Sequence, residues 1–196
     1  MRRSTRTSLF NALNTVLAGI GPDQERLTGV VQGLADYLRY SLLHRHAVMV
    51  PLGDEFDAAL NYLVVEKARF RDGLLVHTHI DDLARAVSAP GVILQPLIEN
   101  AVKHGYKSSP APLRLAIDIR SKPDGGAVID VTNSGRWVVP PAQRQEGDAS
   151  GHGLESVKRR LALIYPDAHR FELLTAGEQV SVRIHLPSAS ALLQPA

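Results

Sequence analysis

The residues best equipped for chemistry lie in Gln95-Pro96-Leu97-Ile98-Glu99-Asn100-Ala101-Val102-Lys103-His104-Gly105. They set a carboxylate, a carboxamide, an amine and an imidazole on one short amphipathic helix. Leu94, Leu97, Ile98, Ala101 and Val102 supply its buried stripe, while Glu99 and Lys103 stack four apart with Asn100 and His104 beside them. An Asn carboxamide is a hard neutral oxygen ligand of the sort Mg²⁺ accepts alongside phosphate oxygens. Lys103 and His104 can meet phosphate charge, and Glu99 can accept or orient a proton. The same spacing also describes an ordinary Glu-Lys pair on a solvent-facing helix, and this helix alone does not decide between the two.

A second segment bears on that choice. Gly151-His152-Gly153-Leu154 opens another helix, where paired glycines let backbone amides approach an anion at the helix's positive end. A Gly-x-Gly is weak by itself, but Val131-Thr132-Asn133-Ser134-Gly135 lies between the two segments. It is a strand ending in amide, hydroxyl and glycine, suited to reading a base edge. Residues 136–150, rich in Pro and Gln, could close over a bound molecule as a lid. Together these segments are the minimum equipment for a metal-bound nucleotide.

The elements that must position them follow from periodicity. Leu9, Leu13, Val16 and Ile20 recur at helical steps, Gly21-Pro22-Asp23 breaks the pattern, and Leu27, Val30, Val31, Leu34, Leu38 and Leu42 resume it. This predicts a helical hairpin over 1–46, whose apolar stripe must pack on a copy of itself or on the rest of the chain; a dimeric four-helix bundle is the natural solution. A third helix is expected from Gly53 to Arg71. Alternation predicts strands over Leu74–Asp81, Leu113–Arg120, Ala127–Asn133, Phe171–Thr175 and Val180–Leu186. Between them, Pro90 suits the first turn of a helix over 91–105 that Gly105 ends, and Pro96 must kink that helix or mark its start. A further helix runs from Leu154 to Tyr165. The fold class is α+β: the hairpin, an α/β sandwich over 50–188 with a mixed sheet of about five strands and three main helices, and a disordered tail over 189–196.

Composition narrows the function classes. In 196 residues, 44% hydrophobic content supports a core and 21% charged content argues against global disorder. The net charge of +2 is too weak to imply nucleic acid, and Lys158-Arg159-Arg160 reads as a solvated helix face. The absence of cysteine removes disulfides and thiolate metal sites and fits a reducing cytoplasm. No run approaches the ~18 apolar residues of a membrane span, and no secretory h-region follows the basic start, although a membrane-anchored longer form stays open. His77 and His79 share a strand face at ligand-like spacing, set against the plain reading of exposed strand histidines. His44 and His46 lie just beyond the hairpin, Trp137 follows the Asn133–Gly135 segment, and exposed-loop and lid-packing roles compete with chemical ones.

In order and spacing these motifs resemble the Bergerat-type ATP-binding fold of histidine kinases, and more specifically the LytS-like sensor histidine kinases. The resemblance is carried by Leu34-Ala35-Asp36-Tyr37-Leu38-Arg39-Tyr40, Val50-Pro51-Leu52, Tyr62-Leu63, Glu66-Lys67-Ala68-Arg69-Phe70 and the 94–105 segment, and spans roughly residues 9–187. It implies that Asn100 binds Mg²⁺, that Glu99 assists phosphoryl transfer, and that Gly151, His152, Gly153 and Leu154 form the glycine box at the lid hinge. Lys103 and His104 then face phosphate, and Asn133 and Gly135 the adenine. The implied cofactors are ATP and Mg²⁺; the implied partners are a second copy, through the N-terminal helices, and a response regulator. Three departures stand out. Asn133 replaces the family's usual Asp in Asp-x-Gly, the last glycine box is reduced to Gly177-Glu178-Gln179, and Thr7 stands where the family has its phosphoacceptor histidine. The expected activity is that of a histidine-kinase-type phosphotransferase. The alternatives are a histidine-less ATP-binding homologue acting as a regulatory dimer, and a protein-serine kinase of anti-sigma type, against which the LytS-like hairpin argues.

Overall fold

The computed structural model describes residues 25–44, 47–137 and 152–188. The expected first hairpin helix, Thr7, His46, most of the 136–150 lid segment, Gly151 and the tail after 188 lie outside the described residues. Helix α1 is Glu25–His44, β1 Val50–Pro51 and α2 Leu52–Phe70; a 3₁₀ turn at Arg71–Gly73 leads into β2, Leu74–Ile80. Helix α3 is Asp82–Arg85, β3 Ser88–Ala89, α4 Leu94–Ser108, β4 Leu113–Ser121 and β5 Ala127–Ser134. Helix α5, His152–Ile164, then precedes the hairpin of β6, Arg170–Ala176, and β7, Gln179–Leu186.

The five long strands form one mixed sheet in the order β2-β4-β5-β7-β6, parallel only between β2 and β4. Alternation puts Leu113, Leu115, Ile117 and Ile119 of β4 and Ile129 and Val131 of β5 on the buried face. The opposite face is polar: His79, Asp118, Asp130, Arg183 and Glu172 are successive cross-strand neighbours, and Arg183 Nε pairs with Asp130 at 2.7 Å. One apolar face needs one covering layer. It comes from Phe56 and Leu63 of α2, Leu97, Ile98, Ala101 and Val102 of α4, and Val157 and Leu161 of α5. The α+β class and the five-stranded sheet under three main helices stand as expected. The two-residue pair β1–β3 and the one-turn α3 were not expected, being too short for a period to register.

Helix α1 packs on this body. A Cβ at Gly33 would lie 3.1 Å from Asn61 O of α2, Ala35 and Tyr37 are buried, and the Tyr37 and Tyr62 rings meet at 5.0 Å. No helix among the described residues is long and apolar enough to cross a membrane.

Two expectations for α4 need correction. It starts at Leu94, so Pro90 precedes it and Pro96 falls in its first turn, where a missing N–H costs no helical hydrogen bond. The delay comes from a turn: Val92 has φ 59°, and Gly91 passes so close to the end of α1 that a Cβ would lie 2.7 Å from His44 O. Nor does Gly105 end the helix, which continues to Ser108. No residue of its own leader caps α4; Glu55 of α2 does so, accepting from Ile93 N at 2.8 Å, Leu94 N at 2.9 Å and also Val92 N. Glu55 is buried, takes a further bond from Tyr40 of α1 at 2.6 Å, and adds negative charge at the helix's positive end. Glu55→Ala strands these buried amides, and urea denaturation is expected to show a loss of about 2–4 kcal/mol.

Candidate functional site

Helix α4 turns Leu97, Ile98, Ala101, Val102 and Gly105 into the core, which forces Glu99, Asn100, Lys103 and His104 onto the opposite side. Glu99 and Lys103 are exposed, and Asn100 and His104 half-buried. No ion pair joins Glu99 to Lys103 among the described residues. Glu99 Oε1 instead accepts two hydrogen bonds, from the Tyr37 hydroxyl of α1 and from Gln95 Nε2 at 2.8 Å. Ser41 Oγ, one turn beyond Tyr37, lies 2.7 Å from Gln95 Oε1 and 2.9 Å from Tyr37 O, with one proton to share between them. The simple surface-pair alternative is thereby displaced: Glu99 is held by a helix remote in sequence.

The two ends of α4 meet the other segments. At its C-terminal end the approach is close: a Cβ on Gly105 would sit 2.7 Å from Leu113 Cδ1 and 2.9 Å from Asn133 Nδ2, so both side-chain ends would have to shift, and 3.2 Å from Ser134 O. Gly135, with φ 114°, is pressed against Ser108, so a side chain there is excluded by both conformation and space. Asn133 is buried and spends its amide on Ser134 O at 2.8 Å, while its carbonyl oxygen accepts no hydrogen bond among the described residues. At the N-terminal end, Gly153 in the first turn of α5 faces Pro96. A Cβ there would lie 3.6 Å from Pro96 Cβ, an ordinary contact, so the folded chain does not itself demand glycine at this position. Asn100, Lys103 and His104 thus lie on a helix bracketed by Gly153 and Asn133, with the bracketed turns spanning roughly 14 Å. His152 is the first residue of α5 and Leu154 is half-buried against the core.

The other candidates are placed apart from this site. His77 and His79 point outward from β2, where His79 Nε2 lies 3.1 Å from Asp81, and no group of three potential metal ligands occurs among the described residues. His44 stacks on Tyr40 at the end of α1. Trp137 is half-buried beyond Gly135.

Sequence reasoning gave no role to Glu55, Gln95, Ser41 or Tyr37. Gln95 and Tyr37 stand inside the quoted motifs, and their i, i+4 partners Glu99 and Ser41 were the available signal. Tyr37 and Tyr62 have phenol pKa values raised first by burial, and then by the Glu99 hydrogen bond and charge for Tyr37 and by the Glu66 and Glu99 charges for Tyr62. Tyr40 is raised by burial and by Glu55. A folded-state value above the ordinary ~10 means that the folded chain keeps a proton the unfolded chain loses. The contribution is complete below the ordinary value and is lost progressively as pH rises from there towards the raised folded-state value. The urea midpoint is therefore expected to fall as pH rises from about 9 to 11, and less steeply in Tyr62→Phe.

Comparison with known proteins bears on this arrangement. A family model described as histidine kinase matches residues 8–74. The sensor histidine kinase BtsS of Escherichia coli is 35% identical over 153 residues, covering 78% of this chain and 26% of that protein. The sensor protein LytS of Staphylococcus haemolyticus is 30% identical over 189 residues, covering 91% of this chain and 32% of that protein. The chain thus spans about a quarter to a third of the length of these curated relatives. Among solved structures, the histidine kinase domain of the Erythrobacter litoralis EL346 blue-light activated histidine kinase superposes with a TM-score of 0.53 at 13% identity. It covers 98% of this chain and 88% of that one, a likeness of fold.

Proposed function

From its relation to the LytS-like sensor histidine kinases, which the matches to histidine kinase, BtsS and LytS sequences bear out, we propose that the chain is the ATP-binding catalytic module of a two-component sensor kinase. It transfers the γ-phosphoryl group of Mg-ATP in signal transduction. The observation that carries this reading is the bracketing of α4. A nucleotide lying along the helix would put its base against Asn133 and Gly135 and its phosphates against Gly153, with Asn100, Lys103 and His104 between.

The residues suit that ligand. Asn100 offers a neutral hard oxygen to Mg²⁺, Lys103 and His104 offer donors to phosphate, and the carbonyl of Asn133, which accepts no hydrogen bond among the described residues, can accept from an adenine amino group in place of the family's Asp. Gly153, which packing does not require, leaves its amide open to an anion at the start of a 13-residue helix. When bound, ATP would supply the phosphoryl group and its Mg²⁺ would neutralise charge on it. The chain's own part is positioning, together with a carboxylate, Glu99, that takes the acceptor's proton. Gly151, His152 and Leu154 complete the lid hinge on this reading. A homodimer through the N-terminal helices, a response regulator as the phosphoryl recipient and a cytoplasmic setting belong to the same proposal.

Asn100→Ala is expected to abolish Mg-ATP binding in calorimetry; retained affinity contradicts the site. Gly153→Ala is expected to keep or slightly raise thermal stability, since Ala favours a helix by up to ~1 kcal/mol, while weakening nucleotide binding. Equal affinity would remove Gly153 from the site.

Thr7 favours a second reading: a histidine-less homologue that binds ATP and acts as a regulatory dimer. A hydroxyl is a poor substitute for a neutral imidazole nitrogen as nucleophile. Incubation with γ-labelled ATP separates the two. Acid-labile label on the chain supports phosphohistidine, acid-stable label points to a hydroxyl acceptor, and binding without label establishes the regulatory reading.

A further inference from the structure

The grip of α1 on Glu99 is more specific than packing requires. The two helices run antiparallel, so Tyr37 and Ser41, one turn apart on α1, meet Glu99 and Gln95, one turn apart on α4. The resulting chain runs from Ser41 to the Gln95 carbonyl, and from the Gln95 amide to Glu99 Oε1, where the Tyr37 hydroxyl also arrives. Both donors reach the same oxygen, and Glu99 Oε2 accepts no hydrogen bond among the described residues. The carboxylate is therefore fixed in rotation, with Oε1 facing α1 and its second oxygen free at an exposed position. Tyr37 itself is buried, with its ring set on Tyr62 of α2, so its hydroxyl has little freedom to leave Glu99. One turn away, Tyr40 bonds the Glu55 carboxylate that caps α4, which fixes the register of α1 along this helix.

We infer that Tyr37 is a positioning residue for Glu99: its hydroxyl aims the free carboxylate oxygen at the phosphoryl-transfer site, so that the setting of α1 governs the competence of the base. This rests on the proposed role of Glu99 as proton acceptor. A rotation or slide of α1 breaks Tyr37–Glu99 and Ser41–Gln95 together, because both bonds come from one face of one helix. The proposed nucleotide contacts lie off this face, at Asn100 on α4, Gly153 on α5 and Asn133 on β5, and are left intact. The inference thus separates two properties that loss of the fold would remove together, nucleotide affinity and transfer rate.

Among the described residues, the charged and titratable groups around Glu99 are Tyr37 from α1, Tyr62 with Glu66 and Arg69 behind it from α2, and Lys103 one turn on along α4. Of these only Tyr37 donates a hydrogen bond to the carboxylate. Tyr37→Phe keeps the ring and removes the donor. In the 196-residue chain, ATP turnover and Mg-ATP affinity can be followed side by side. Tyr37→Phe is expected to lower turnover on the order of tenfold, part of the ~10²–10⁴ a positioned base supplies. Affinity is expected to stay at the wild-type value. In a Glu99→Gln background the same substitution is expected to change turnover no further.

Wild-type turnover in Tyr37→Phe, provided Glu99→Gln is slow, overturns the inference. So does a fall in turnover matched by a fall in affinity, and so does a further fall when Tyr37→Phe is added to Glu99→Gln. Wild-type turnover in Glu99→Gln, or no turnover in the wild-type chain, contradicts the base role of Glu99 itself and the inference with it.

Discussion

The carboxylate of Glu55 does for α4 what the chain just ahead of α4 cannot. That leader passes through Gly91 and the turn at Val92 to put Ile93, which has no side-chain acceptor, at the N-cap, and the first amides of the helix would otherwise be buried without acceptors. Glu55 reaches across from α2, accepts from Val92, Ile93 and Leu94, and is itself held by Tyr40 of α1. A buried carboxylate is tolerated only when such donors surround it. Here they come from two segments, α1 and the start of α4, onto a carboxylate of α2, so the three have a single mutual setting.

The candidate site inherits that setting. With its start pinned, α4 presents Gln95 and Glu99 to α1 and the neighbouring Asn100, Lys103 and His104 to the space between Gly153 and Asn133. The far end is fixed sterically: Gly105 admits Leu113 and Asn133, and Gly135 admits Ser108. Hydrogen-bond capping at one end and glycine contact at the other make α4 a rigid platform, as a site built by positioning needs. Beneath it the sheet is apolar on one face and a charge ladder on the other, which directs the helices and their polar residues to one side.

Much of this was legible in sequence because it is local and periodic. Leu113, Leu115, Ile117 and Ile119 state a strand by alternation, and Leu94, Leu97, Ile98, Ala101 and Val102 state the buried face of α4. From that face the exposed placement of Glu99 and Lys103 follows at once. The limits of α4 are not legible because Pro90 and Gly105 carry start and stop chemistry that tertiary contacts override. Pro90 gives way to the turn at Val92, and Gly105 is there for the close approach of Leu113 and Asn133. Glu55 and Tyr37 escaped because their partners lie some 37 and 62 residues away. Nothing local distinguishes a carboxylate that caps a distant helix from one on a solvated face.

The central claim is that the outward side of α4 receives the metal of a bound nucleotide. Mn²⁺ in place of Mg²⁺ tests this most directly, because it broadens nearby NMR signals by paramagnetic relaxation. With ATP and Mn²⁺ present, the side-chain amide of Asn100 and the backbone signals at the start of α5 should broaden first, and not with Mn²⁺ alone. Broadening that needs no ATP, or that centres on the outward histidines of β2 at His77 and His79, would contradict the account.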